Sequence, residues 1–270
     1  AVNALADAPL VDSHFHIYTQ DMPLADGAWH HPGEDASVER ALETLDANGV
    51  TFGVISAASI YGTYNDYVRS AVKAHKRLRA TLMPDFDWDI GVLERYREDG
   101  FTGIRLLWRP KEETPDIDSE PYRRMLRRCA DLGWHVHLTE RPERIDHTIR
   151  VIENAGAHVV LDHMVLIDTE AGIDDPGFKA ALAAIERGKT WVKLSGGFRF
   201  KRPGLADKVA KELVATGGWE RLMWASDWPF AGFESEVTYA DTLRKLEEWV
   251  PDPAMRRCVA GRTPLSFYFT

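Results

Sequence analysis

The stretch PLVDSHFH, residues 9–16, decides how the rest of the chain is interpreted. Its apolar start predicts a short β-strand, and its end carries two histidines separated by one residue. Residues two apart in a strand point to the same face, so His14 and His16 should project together. The stretch therefore predicts a strand with chemistry at its C-terminal end.

Two other short apolar segments end in the same way. LDH at residues 161–163 brings His163, and WASD at residues 224–227 brings Asp227. Together the three strand ends present three imidazoles and one carboxylate. Such a set can bind a divalent metal or hold a water molecule beside a general base.

Strand-like and helix-like segments alternate along the whole chain. Short apolar segments, typical of buried parallel strands, occupy residues 10–12, 52–57, 79–83, 103–107, 135–138, 159–162, 191–194 and 221–225. Amphipathic segments occupy residues 38–47, 65–74, 91–98, 121–132, 144–155, 178–186, 206–215 and 239–249. This alternation predicts a (β/α)8 barrel that forms one domain over residues 1–270.

A doubly wound sheet is the alternative, but no G-x-G-x-x-G turn follows the first strand. The longest stretches without periodicity, residues 19–36, 111–120 and 165–176, all follow predicted strands. They should lie on the face where barrel enzymes have their active sites.

Composition limits the partners. A formal net charge of -9 disfavours binding to nucleic acid or to an anionic membrane. No apolar run approaches the roughly 20 residues of a membrane span, and residues 1–9 lack the pattern of a signal peptide. The only cysteines, Cys129 and Cys258, lack metal-ligand spacing and are expected to be reduced thiols of a cytoplasmic protein.

Six motifs, in this order along the chain, resemble the amidohydrolase superfamily. They are VDSHFH (11–16), SIYGTYN (59–65), GIR (103–105), LDH (161–163), VKLSGGFR (192–199) and WASDWP (224–229). The likeness is to the amidohydrolase 2 branch, in particular to its 2-pyrone-4,6-dicarboxylate hydrolases and sugar lactonases. It extends over nearly the whole chain.

The resemblance implies roles for the polar strand ends. Asp227 would be the general base that takes a proton from the hydrolytic water. His14, His16 and His163 would polarise the scissile carbonyl, directly or through a metal. A carboxylate beside imidazoles at a barrel mouth suits both tasks.

The residue at the end of the fifth strand bears on whether the protein requires a metal ion. Metal-dependent members usually end it with a histidine, where this chain has Thr139; His137 lies about 6.6 Å deeper and is expected to be a hydrogen-bonded interior residue. Leu106 and Leu107 stand where a bridging lysine would be, which disfavours a two-metal site. We therefore expect no obligatory metal. A single Zn²⁺ on His14, His16, His163 and Asp227 is the alternative.

Arginines indicate an anionic substrate. Arg105 and Arg199 match motif positions near the mouth, where a guanidinium can clamp a carboxylate, and Arg109 is either a third clamp or a surface residue. Neutral contacts to the substrate are expected from four further residues: Ser59, Tyr61, Asn65 and Thr139. Asn65 has a plainer alternative as the cap of the next helix.

The sequence thus predicts a hydrolase that opens a lactone ring, either a carboxylated pyrone or a sugar-acid lactone. Two alternatives stay open. One is a metal-dependent, non-oxidative decarboxylase of an aromatic or unsaturated acid. The other is a barrel without catalysis that binds a sugar acid. The oligomeric state is left open.

Overall fold

The structure is a computed structural model that describes residues 8–270. Its eight strands are β1 (Leu10–Phe15), β2 (Val50–Ile55), β3 (Leu78–Leu82), β4 (Phe101–Leu107), β5 (His135–Thr139), β6 (His158–Leu161), β7 (Thr190–Leu194) and β8 (Leu222–Trp224). All neighbouring pairs are parallel, and the strands follow one another in chain order. The predicted (β/α)8 barrel is confirmed. The doubly wound alternative is wrong, because the strand order of a doubly wound sheet reverses partway and the order observed here does not.

Helices follow the strands as the amphipathic pattern predicted. They are α1 (Val38–Ala47), α2 (Asp66–Ala74), α3 (Ile90–Asp99), α4 (Glu120–Leu132), α5 (Ile145–Asn154), α6 (Pro176–Arg187), α7 (Leu205–Gly217) and α8 (Tyr239–Trp249). Two further short helices, α9 (Pro253–Arg257) and α10 (Thr263–Tyr268), lie on either side of a π-helical turn (Cys258–Arg262). No helix in residues 8–270 is both long and apolar enough to cross a membrane.

Side-chain caps explain where several helices begin. The Ser37 side chain accepts from the Arg40 N–H at the start of α1, and Asp175 caps α6 directly before Pro176. Thr238 and Asp241 cap α8 reciprocally, as a capping box. Asn65 occupies the N-cap position of α2, as its alternative interpretation had it, but its side chain donates to the carbonyl of Thr63 and makes no capping hydrogen bond.

The seam between β8 and β1 is closed by the segment that carries Asp227. The Asp227 N–H donates to the His14 carbonyl at 2.9 Å, and the His16 N–H donates to the Trp228 carbonyl at 2.9 Å. The buried Asp12 carboxylate accepts from Ser226 across the same seam and from the Tyr239 hydroxyl at 2.8 Å. Closure of the barrel therefore places Asp227 beside the histidines of β1.

Strands β4 and β5 approach each other closely at Gly103. A Cβ built there would lie 2.3 Å from the carbonyl oxygen of His135 on β5, so only glycine fits. The lower barrel is filled by a separate apolar cluster of Val54, Val160, Met223 and Tyr268. Helix α10 thus supplies Tyr268, which fills the end of the barrel opposite to His14, His16 and His163.

Candidate active site

Three imidazoles surround one carboxylate at the C-terminal ends of the strands. The Asp227 Oδ1 lies 3.5 Å from Nε2 of His14 and 3.6 Å from Nε2 of His16, and Oδ2 lies 3.7 Å from Nε2 of His163. The ring centroids of His16 and His163 lie 4.9 and 4.6 Å from that of His14. The four residues that the sequence singled out are therefore brought to one point.

Backbone strain accompanies two of these residues. Asp227 has φ 64°, and His163 begins a run of four residues with φ between 48° and 69°. Such conformations cost non-glycine residues about 1–3 kcal/mol each and are concentrated at functional sites. Gly196 makes room for the turn, because a Cβ there would approach the His163 ring to 3.0 Å.

Burial differs sharply across the cluster. The side chains of His14 and Asp227 are 0% and 1% exposed, whereas those of His16 and Arg199 are 12% and 18% exposed. Solvent and any ligand therefore reach the carboxylate along the side formed by His16 and Arg199.

Arg199 binds the carboxylate from the solvent side. Its Nε donates to Asp227 Oδ2 at 2.7 Å and its Nη1 donates to the Ala231 carbonyl at 3.1 Å. The guanidinium also lies 5.1 and 5.5 Å from the ring centres of Phe198 and Phe233. These contacts hold the positive charge of Arg199 at the entrance to the cluster.

The electrostatic environment keeps Asp227 and two of the imidazoles in different charge states. Burial raises the pKa of Asp227, but Arg199 and the neighbouring histidines outweigh it and hold that pKa well below its usual range. Burial lowers the pKa of His163 to about 4 and places the pKa of His14 well below its usual value. At neutral pH the site therefore combines an ionised carboxylate with neutral His14 and His163 rings.

Each imidazole is also held from behind through Nδ1. In His16 this atom lies 2.9 Å from the Ser56 carbonyl oxygen, and in His163 it lies 3.0 Å from the Ser195 hydroxyl. In His14 it lies 3.0 Å from the Lys193 amine. All three rings thus turn Nε2 toward Asp227.

A charged layer that the sequence analysis missed lies below the histidines. Lys193 is fully buried and pairs with Asp162 Oδ1 at 3.1 Å, and Asp162 Oδ2 accepts from Arg105 Nε at 2.9 Å. Burial lowers the pKa of Lys193, and Asp162 opposes that change. A lysine inside a buried strand was the available signal, since lysine is almost never fully buried without a partner.

Arg105 lies near the cluster but is largely engaged by the protein. Besides Asp162, it donates from Nη1 to the Ala57 carbonyl at 2.6 Å, and the residue is only 5% exposed. Arg109 is half-buried, and its Nη1 has no hydrogen-bond partner within residues 8–270. Of the three predicted arginines, Arg199 is therefore the one that contacts the carboxylate of Asp227 directly.

The predicted neutral contacts lie on the loop after β2 and at the end of β5. Ser59 accepts from the Trp29 indole at 3.0 Å, and Tyr61 is buried with its pKa raised to about 12 by that burial. Asn65 and Thr139 are also buried, and the Thr139 hydroxyl has no partner in the described part of the chain.

Three of the four central residues could hold one metal ion. Ligand atoms of His14, His16 and Asp227 all lie within 4.8 Å of one another. Nε2 of His14 and Oδ1 of Asp227 are buried without a hydrogen-bond partner in residues 8–270. By these distances and donor types the set fits a zinc ion that retains an open position for water.

His137 does not join this set. It is fully buried on β5, as expected, but neither ring nitrogen has a hydrogen-bond partner within the described residues. The expectation that His137 is hydrogen-bonded to other residues of the protein is therefore wrong for the part of the chain that the structure describes. Burial places the pKa of His137 well below its usual value, so the ring is kept neutral.

Comparison with known proteins identifies a family and relatives of the whole chain. The family model described as amidohydrolase matches residues 11–270. The chain is 25% identical over 266 residues to a 4-sulfomuconolactone hydrolase of Rhizobium radiobacter, covering 95% of this chain and 89% of that protein. It is 28% identical over 272 residues to a D-galactarolactone isomerase of Agrobacterium fabrum, covering 96% and 90%.

Solved structures share the fold over nearly the full length. A putative 2-pyrone-4,6-dicarboxylic acid hydrolase from Pseudomonas putida superposes with a TM-score of 0.89 at 31% identity, covering 97% of each chain. An amidohydrolase from Burkholderia multivorans with bound zinc superposes with a TM-score of 0.78 at 17% identity, covering 97% of this chain and 99% of that one.

Proposed function

Because the chain belongs to the amidohydrolase family, we propose that it is a hydrolase that opens the ring of a carboxylated pyrone or of a sugar-acid lactone. The observation that carries this proposal is the ionised Asp227, whose free Oδ1 faces two imidazoles at 3.5 and 3.6 Å. Relatives named as hydrolases or isomerases of lactones support the substrate class.

In this mechanism Asp227 Oδ1 takes a proton from a water molecule as the water oxygen attacks the lactone carbonyl carbon. Imidazoles of the cluster that present an N–H stabilise the negative charge that develops on the carbonyl oxygen. Collapse of the tetrahedral species breaks the ring C–O bond, and the leaving oxygen receives the proton from Asp227. The product acid then ionises, so one proton is released for each ring opened.

We propose an anionic substrate, because the cationic Arg199 stands at the entrance to the cluster in a chain whose net charge is -9. The Nη1 atom of Arg109 has no hydrogen-bond partner within residues 8–270, so a second guanidinium is proposed to contact the substrate. Arg105 would act mainly through its ion pair with Asp162 and less by direct contact with the substrate. Ser59, Tyr61, Asn65 and Thr139 are proposed to give neutral contacts.

We propose that no metal is obligatory. β5 ends on Thr139, and Arg199 already places a cation 2.7 Å from Asp227 Oδ2. A divalent ion, if bound, would be held by His14, His16 and Asp227, with His163 as a fourth candidate, and would polarise the carbonyl and acidify water. A cytoplasmic location is also proposed, supported by the unpaired, buried thiols of Cys129 and Cys258.

The test is a pH-indicator screen of the purified protein against sugar-acid lactones and pyrone carboxylates, after its metal content has been measured. We expect proton release with at least one class, and release that is slower by ~10²–10⁴-fold with Asp227→Asn. Release of CO₂ with proton uptake would support the decarboxylase alternative instead. Saturable binding of a sugar acid without turnover would support the non-catalytic barrel.

A further inference from the structure

Lys193 is the only buried lysine in residues 8–270, and its side chain is 0% exposed on β7. Its Nζ lies 3.0 Å from His14 Nδ1, with the geometry of a hydrogen bond. The 3.1 Å contact to Asp162 is an ion pair in which Oδ1 receives no hydrogen bond of good geometry. Lys193 therefore lies between two partners, with a hydrogen bond to His14 and an ion pair with Asp162.

The direction of this hydrogen bond decides where His14 carries its proton. The ion pair with Asp162 favours the ammonium form of Lys193, which has three donors and no acceptor, so Nδ1 of His14 accepts from it. The neutral ring then has its single proton on Nε2, the atom that faces Asp227. Asp162 Oδ1 also approaches Nδ1, but at 3.6 Å it is too far to impose the opposite tautomer.

His16 has the reverse arrangement. Its Nδ1 lies 2.9 Å from the Ser56 carbonyl oxygen, which can only accept, so this nitrogen carries a proton. With a single proton on the ring, Nε2 of His16 is an acceptor that faces a second acceptor, Asp227 Oδ1, at 3.6 Å. Two acceptors at that distance are suited to a water molecule that donates one hydrogen to each.

We propose that Lys193 is a positioning residue that fixes the proton of His14 on Nε2. This makes His14 a hydrogen-bond donor to the lactone carbonyl and a poor metal ligand, while His16 and Asp227 hold the attacking water. The catalytic consequence rests on the proposed lactone hydrolysis, but the assignment of the proton does not. A metal-ligating histidine normally donates its other N–H to a carbonyl or carboxylate, as His16 does and His14 does not.

The first test uses the unmodified protein. Nitrogen NMR of ¹⁵N-histidine-labelled protein distinguishes protonated from unprotonated ring nitrogens, and a His14→Gln spectrum assigns the His14 signals. We expect a protonated Nε2 and an unprotonated Nδ1 for His14. The opposite pattern would overturn the proposal, whether or not a lactone substrate has been found.

The second test removes the donor with Lys193→Met, which keeps the length of the side chain. We expect loss of the single His14 tautomer, tighter binding of Zn²⁺ in calorimetry, and a kcat reduced by roughly 10²-fold with KM little changed. Tyr268→Phe is the matched control, since it removes another buried polar atom from the barrel interior without touching His14. It should leave all three readouts as in the unmodified protein.

Stability is measured for both variants, because burial alone makes Lys193 a structural residue. Should Lys193→Met lower stability yet keep the proton on Nε2 of His14 and the weak Zn²⁺ binding, the lysine would be structural only and the proposal would fail. If Lys193→Met does not fold, the spectrum of the unmodified protein still decides the tautomer. Absence of lactone turnover would count against the proposed function and not against the tautomer.

Discussion

Arg199 and the imidazoles of β1 contact opposite oxygens of Asp227. Nε of Arg199 donates to Oδ2 at 2.7 Å, while Oδ1 faces His14 and His16 and has no hydrogen-bond partner among the described residues. One oxygen is therefore fixed by a cation, and in the proposed mechanism the other takes the proton from water. Because Arg199 binds one oxygen of Asp227, its positive charge lowers the pKa of the whole carboxyl group.

Arg199→Met should change the pH dependence as well as substrate binding. Arg199 is the largest influence that lowers the pKa of Asp227, so its loss should raise that pKa and move the acidic limb of kcat/KM to higher pH. For an anionic lactone, KM should also rise by roughly 10- to 100-fold, the value of a charge-assisted hydrogen bond. Rates measured across pH with anionic and neutral lactones check both effects.

Arg202→Met is the control for this change, because it removes the same charge from a half-exposed side chain three residues further along the same loop. It should leave the acidic limb in place. An unchanged acidic limb in Arg199→Met would contradict the coupling of the two residues.

Asp227→Asn should abolish most turnover without unfolding the protein. The amide is nearly isosteric but cannot accept the proton of water, and loss of a general base typically lowers kcat by ~10²–10⁴-fold. KM should change little. The exposed Asp207→Asn is the control, and its kcat should match that of the unmodified protein. Near-normal turnover by Asp227→Asn would refute the hydrolytic mechanism.

Dialysis against a chelator should leave most of the activity. The fifth strand supplies Thr139 where a histidine ligand would stand, and a cation already neutralises Asp227. Activity and metal content are measured before and after dialysis, with and without added Zn²⁺. Complete loss that stoichiometric Zn²⁺ restores would show that His14, His16 and Asp227 form an obligatory metal site.

The cluster could be predicted from sequence because each member lies at a strand end. Parallel strands of a barrel bring their C-terminal ends to one face, so the location of His14, His163 and Asp227 follows once the strands are recognised. Periodicity also predicted eight of the helices. It gave no bounds for α9 and α10, whose five and six residues are too short for an amphipathic pattern.

The charged layer below the cluster could not be predicted in the same way. Lys193 meets His14 across 179 positions of sequence, and Arg105 meets Asp162 across 57. Such contacts depend on which side chains point inward at the same height, which is set by the register of strands distant in sequence. The motifs contained these residues, but only the register shows that Arg105 and Lys193 share one carboxylate.

The last prediction concerns stability against pH and rests on His135, which lies on β5 away from the cluster. Its ring stacks on Phe267 at 3.8 Å, and burial, followed by His158 and Lys193, lowers its pKa to about 3. The unfolded chain takes up this proton near pH 6.5, whereas the folded protein does so only near pH 3. Between these values the unfolded state binds one more proton, so the stability contribution is complete above pH 6.5 and is lost as pH falls.

His135→Phe should therefore make the free energy of unfolding less sensitive to acid. A group that is protonated only in the unfolded state changes that free energy by about 1.4 kcal/mol per pH unit, so the slope between about pH 6 and pH 5 should fall by about that amount. Denaturant titrations at several pH values measure the slope. His31→Gln, at an exposed position, should keep the slope of the unmodified protein. Equal slopes for His135→Phe and the unmodified protein would mean that the buried ring is protonated as readily as in the unfolded chain.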